Sequence, residues 1–171
     1  MAITVPAAGD AVTAAWGASV ANQLNTSFPI ACTADTATTS GTTVDITGLS
    51  FPVTSGYAYV FDLHLFYTVG GTSTGIAVSY TAPGANDGRM LVQTYGNASP
   101  TGVTSDWAYT EADDTQGTAT TDAASVQRMI RVEGRILAAG TGTFQFQFCR
   151  NGTSTTVTVL KGSGGTVVAT V

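Results

Sequence analysis

His64 is the only histidine in the 171 residues, so a general base of the Ser-His-Asp kind would have to be that residue. It lies inside an alternating aromatic run from Tyr57 to Tyr67. A packed or interfacial imidazole is the simpler reading there, because catalytic and binding groups concentrate on loops. No G-x-S-x-G elbow, phosphate-binding loop, dinucleotide fingerprint or HExxH segment occurs. No catalytic residue is therefore assigned, no enzyme is expected and no cofactor is expected.

Other groups invite weaker chemistry. Glu111, Asp113, Asp114 and Asp122 could offer hard oxygens to Ca²⁺, but their spacing does not match an EF-hand loop. A solvated acidic loop is the plainer reading, and no metal site is assigned. Cys32 and Cys149 lack C-x-x-C spacing, which removes a redox motif or zinc knuckle. Two buried free thiols are expected, with a disulfide as the alternative. Trp16, Trp107 and the tyrosines could stack on sugar rings. Most of these aromatics sit at strand periodicity, leaving Tyr95 and the Trp107/Tyr109 pair beside glycine-rich loops as sugar-binding candidates. Arg131, Glu133 and Arg135 share one strand face, and arginine suits interface ion pairs because its planar fork matches a carboxylate. These three are expected to face another subunit.

The elements that must carry these residues are mostly strands. Charged residues make up 10% of the chain against a typical value of about 25%, so the surface must be solubilised by threonine, serine and glycine. Threonine favours strands and glycine favours turns, which makes this an all-β composition. A net charge of −5 argues against nucleic acid as a partner. No apolar run of about 20 residues is present to span a bilayer, so no membrane is expected. The start, Met1 to Pro6, has no secretion-signal pattern, and the chain is expected in the cytosol where it is made.

Two regions differ in grammar. Asp10 can cap a short helix in which Val12, Trp16, Val20 and Leu24 recur every fourth residue. Gly17 weakens that helix by about 1 kcal/mol relative to alanine, so it needs a docking surface. From Thr42 onward the apolar period becomes two. Tyr57, Tyr59, Phe61, Leu63, Leu65 and Tyr67 share one face of a central strand, and Ala58, Val60, Asp62, His64 and Phe66 the other. Ile76, Val78 and Tyr80 form a further alternating face, and Val126, Ile130, Val132, Ile136 and Ala138 point one way along another strand. Phe144, Phe146 and Phe148 alternate with polar residues, and Asn151-Gly152 signals a hairpin leading to Val157 and Val159. About eight short strands with turns between them predict a jelly-roll β-sandwich over 31–171, preceded by a docking segment, helical or extended, over 1–30.

The segments Ile130 to Ile136, Gly142 to Phe148 and Val157 to Ser163 resemble the C-terminal strands of tailed-phage virion surface proteins, namely capsid decoration, head-fibre and minor tail types. Several of these carry a jelly roll like that of the tumour-necrosis-factor and C1q families. Asp10 to Gly17 also resembles the opening of phage structural proteins. The resemblance implies a homotrimeric knob on the virion surface whose N-terminal segment docks on the major capsid protein or another virion protein. Val12, Trp16, Val20 and Leu24 would be the docking residues, and Tyr59, Phe61, His64 and Phe66 would lie near the trimer axis, where an aromatic sheet face needs covering. A carbohydrate- or receptor-binding module of a phage tail or fibre, using loops such as 84–88 or 110–124, is the alternative.

Overall fold

Among the described residues, the alternation that marks strands in the sequence is realised as twelve of them. They are β1 (Ser27–Ala31), β2 (Thr36–Thr38), β3 (Val44–Val53), β4 (Ala58–Val69), β5 (Thr74–Thr81), β6 (Asp87–Tyr95), β7 (Ala108–Thr110), β8 (Gln116–Gly117), β9 (Arg128–Leu137), β10 (Gly142–Gly152), β11 (Val157–Val159) and β12 (Gly164–Thr170). The computed structural model describes residues 27–72, 74–84, 87–95, 108–110, 116–117, 125–152 and 155–170. Val12, Trp16, Val20 and Leu24, the acidic residues Glu111, Asp113, Asp114 and Asp122, and Trp107 lie outside these, as does the expected helix.

The larger sheet runs β1-β12-β4-β9-β6-β7, with β11 beside β4 and β2 beyond β11; the smaller runs β3-β10-β5-β8. Along the chain the pairs are nested: β1 with β12, β3 with β10, β4 with β9, and β5 with β8. The chain is therefore one antiparallel ribbon, rolled so that successive pairs fall in alternate sheets. Contacts β12·β4 and β10·β5 close the roll. That nesting is a jelly roll of eight strands, the class the sequence predicts; β1 and β8 depart from the prediction, since they fall in the expected docking segment and in the loop over 110–124. The hairpin β6–β7 is inserted between β5 and β8 and widens the larger sheet.

Four expectations need correction. Asn151-Gly152 does not turn a hairpin: both residues continue β10 against Gly75 and Thr74 of β5, and the chain then crosses to β11 in the other sheet. The docking segment cannot extend to residue 30, because Ser27–Ala31 is a strand of the sandwich paired along its length with β12. Val126 precedes β9 and is 45% exposed, so it does not share the inward face of Ile130. Strand β5 is buried on both faces, not one, from Thr74 to Tyr80.

Between the sheets lies one aromatic core. Phe51, Phe61, Tyr80, Phe144 and Phe146 are each at most 2% exposed. Phe144 stacks on Phe51 and on Tyr80 at 4.8 Å each, and meets Phe146 at 4.9 Å and Phe61 of the opposite sheet at 5.7 Å. Offset and edge contacts of this kind add to the burial of the rings. Gly134 of β9 stands opposite Phe61, and a Cβ there would lie 2.6 Å from Phe61 Cζ and 2.4 Å from the Arg89 carbonyl oxygen. Only glycine lets that ring lie so close beneath the strand.

Candidate outer face of the large sheet

On β4 the odd-numbered side chains point into the sandwich and the even-numbered ones point out. Tyr59 and Phe61 are 4% and 1% exposed, buried among this chain's own side chains. They leave no surface for a neighbour, so the interface role expected of them is withdrawn. The remaining expected interface residues are on the outer face: His64 is exposed, Phe66 half-buried, Arg131 and Glu133 half-buried, and Arg135 exposed. Arg128 falls on the inward parity opposite Tyr67, whose phenol is pushed up to about 12 by burial, an effect Arg128 partly offsets.

Strand register arranges this face in cross-strand rows. Ala31, Gly164, His64, Arg131 and Gln93 form one row; Pro29, Thr166, Asp62, Glu133 and Leu91 form the next; Ser27, Val168, Val60, Arg135 and Arg89 form the third. Arg131 reaches diagonally across β4: its Nε and Nη2 donate to the two carboxylate oxygens of Asp62 at 2.8 and 2.6 Å. Its Nη2 also lies 3.0 Å from Glu133 Oε2. The hydrogen bonds from Arg131 hold the Asp62 carboxyl below the usual carboxylate range, with its positive charge and that of His64 adding to the effect against desolvation. Two-point pairing of this kind fixes both side chains, so the middle of the face is stiff as well as charged.

Arg131 thus finds its main carboxylate within the same chain. Glu133, the nearest acid along β9, is only its second partner. Asp62 went unassigned in the sequence because it is 69 residues away, and only the β4–β9 register brings the two together.

Beside this network lies an open depression of about 650 Å³ lined by Val60, Asp62, Arg89, Leu91, Glu133 and Arg135. Val60 is 43% exposed and Leu137, one row beyond Arg135 on β9, is 40% exposed; Tyr57, just before β4, is 38% exposed. These are three of the four large exposed apolar side chains among the described residues, and they gather at one end of the sheet. The face therefore combines a rigid ion cluster with an uncovered apolar end, which suits binding a macromolecular surface more than processing a small molecule.

The remaining candidates are dispersed. Cys32 and Cys149 are free, buried thiols, and burial raises both above the ordinary thiol range. They lie apart in the fold, Cys32 just after β1 of the larger sheet and Cys149 within β10 of the smaller. Tyr109 lies on β7 opposite Leu91, and Tyr95 on β6 opposite Met129. Among the described residues no group of three or more His, Cys, Asp or Glu converges as a metal site would require, and no helix is long and apolar enough to cross a membrane.

No protein-family model matches the chain, and no curated protein matches it. Among solved structures it is similar to chains of infectious bursal disease virus, strain Gt at 12% identity and TM-score 0.22, and strain Gx at 11% identity and TM-score 0.23. Each match covers 84% of this chain, which spans only 40% and 39% of the respective viral chains. The jelly-roll assignment accordingly stands on strand order and register.

Proposed function

We propose that this chain is a non-enzymatic structural protein of a bacteriophage particle, a capsid decoration or head-fibre protein that self-associates through the outer face of its large sheet and attaches by its N-terminal segment. The observation that carries this reading is the outer face itself, a stiff Asp62–Arg131–Glu133 cluster beside exposed apolar side chains on an otherwise charge-poor β-sandwich. The resemblance of residues 130–163 to tailed-phage virion proteins supports the phage setting. In this reading three copies surround an axis, with His64, Phe66 and Arg131 toward the neighbouring copy and the sandwich standing on the particle surface.

Particle binding and molar mass test the two halves separately. A chain lacking residues 1–25 should stay folded and lose particle binding, and full occupancy by the truncated chain would refute attachment through that segment. Light scattering of the intact chain should give three times the monomer mass. Glu133→Lys should reduce it, because it sets a third positive charge beside Arg131 and Arg135; an unchanged mass would remove this face from the interface.

A further inference from the structure

Adjacent rows of the outer face carry opposite charge. The row of Asp62 and Glu133 is acidic, and the next, with Arg135 and Arg89, is basic. The depression lies between them: Val60, Arg135 and Arg89 border one side, and Asp62, Glu133 and Leu91 the other. Two strand spacings make it about 10 Å wide, and two residues along a strand make it about 7 Å long. That footprint takes one or two side chains.

Both acids are engaged by Arg131. Arg135, by contrast, is exposed and makes no hydrogen bond or ion pair among the described residues. It stands directly opposite Arg89, which is also exposed. Like charges opposite one another on paired strands are unfavourable, and Cα atoms so placed lie about 4.5–5.5 Å apart. Both guanidinium groups can therefore reach one anion, and a carboxylate between them relieves the repulsion while matching their planar forks. Apolar groups flank the pair. Val60 and the half-buried Leu91 wall the hollow, and Leu137, 40% exposed, follows Arg135 in the next row.

We infer that this end of the outer face binds an acidic residue set between apolar ones in an exposed segment of a partner protein. The carboxylate lies between Arg89 and Arg135, and a neighbouring apolar side chain fills the hollow beside Val60 and Leu91. Shape and chemistry select this occupant. A second copy presenting the same face would set hollow against hollow. A sugar ring stacks on an aromatic face, and the one ring at the hollow, Phe61, is 1% exposed. A free phosphate would leave Val60, Leu91 and Leu137 uncovered. The inference goes beyond the self-association proposed above, which uses the row of His64 and Arg131 and the adjoining Phe66.

The probe is a pool of acetylated, amidated tripeptides with Asp or Glu between two of Leu, Ile, Val and Phe, added to the intact chain and followed by nuclear magnetic resonance. Saturable shifts should appear at residues 60–62, 89–91 and 133–137. Arg135→Gln and Arg89→Gln should each weaken binding about tenfold or more, since each removes a charged hydrogen-bond donor. Both positions are exposed, so the variants should keep the parent's Tm. A matching pool with Asn or Gln at the centre should give no saturable shift. The inference is overturned if the acidic pool does not bind, if the amide pool binds equally well, or if both arginine variants bind as the parent does. It is overturned in favour of a sugar acid or a free anion if sodium glucuronate or inorganic phosphate binds there as tightly as the peptides. Light scattering reads self-association separately: a monomer that binds the pool keeps this inference and loses only the trimer, and a trimer that ignores the pool does the reverse.

Discussion

Truncating Phe144 to alanine tests the packing on which the outer face depends. The ring is fully buried and touches four others, Phe51, Tyr80 and Phe146 of its own sheet and Phe61 of the opposite one. Phe→Ala in a core costs about 3–5 kcal/mol, set by how far the surroundings can collapse into the gap. Here collapse would require the two sheets to approach each other, which strand pairing on both sides resists. Each aromatic contact adds about 0.5–1.5 kcal/mol beyond area, so the loss should lie near the top of the range, about 4–5 kcal/mol. For a chain of this length that lowers Tm by about 8–20 °C. Phe148→Ala is the control: Phe148 is equally buried on the same strand but joins none of the ring pairs among the described residues, so its cost should be about 1 kcal/mol or more lower. Urea titrations with equal slopes give both values. If Phe148→Ala costs as much as Phe144→Ala, the aromatic cluster contributes nothing beyond hydrophobic area and the argument fails.

Asp62, with its carboxyl held low by Arg131, contributes stability that is present above the ordinary carboxylate range near about 3.9 and is lost as pH falls through its lower folded value. Its side chain is 45% exposed, so screening keeps the effect below about 1 kcal/mol; Asp62→Asn should flatten the acid limb of a pH–stability curve slightly, and an unaltered limb would count against the pair. Gly134→Ala places a methyl group 2.4 Å from the Arg89 carbonyl oxygen and 2.6 Å from Phe61 Cζ, and overpacking of this kind costs about 1–3 kcal/mol, read by thermal unfolding; a neutral result would mean that both the β6 backbone and the ring give way freely. Cys32 and Cys149, 2% and 3% exposed with burial raising both thiols, should resist a disulfide reagent until denaturant is added, and rapid labelling of the native protein would contradict their burial.

Strand positions were legible because alternation is a local property: Phe144, Phe146 and Phe148 read as one inward face and are one. Which face of a strand is inward is not local when both carry apolar groups. On β4 the outward side still holds Val60 and Phe66, so Tyr59 and Phe61 could be read as lying on either surface until β9 and β12 fixed the register. The same limit explains Asn151-Gly152. An Asn-Gly pair favours a tight turn, but the backbone can also run straight through it when the ladder continues, and β5 supplies partners as far as Thr74. Gly152 keeps the left-handed conformation, with φ of 100°, and uses it to leave the sheet rather than to double back within it.

Gly162-Ser163 shows how a turn can carry a structural role that its residue types do not announce. The two residues separate β11 from β12, and both strands run along the same edge of β4. A gap in that edge would strand the backbone of Phe66, yet Leu160 N donates to the Phe66 carbonyl, Phe66 N donates to Ser163 Oγ at 2.9 Å, and Ser163 Oγ donates back to that carbonyl at 3.2 Å. Ser163 is fully buried, a placement a turn serine does not announce, and its hydroxyl replaces the ladder bonds that the turn removes. Opposite it, Cys32 N donates to the Ser163 carbonyl and Gly162 N to the Cys32 carbonyl, so the break between β1 and β2 is locked to the break between β11 and β12. His64 and Phe66 flank this double interruption on the outer face, and the positions proposed to meet a neighbouring copy are therefore held by backbone hydrogen bonds on β4, β11 and β12 rather than carried on a loop.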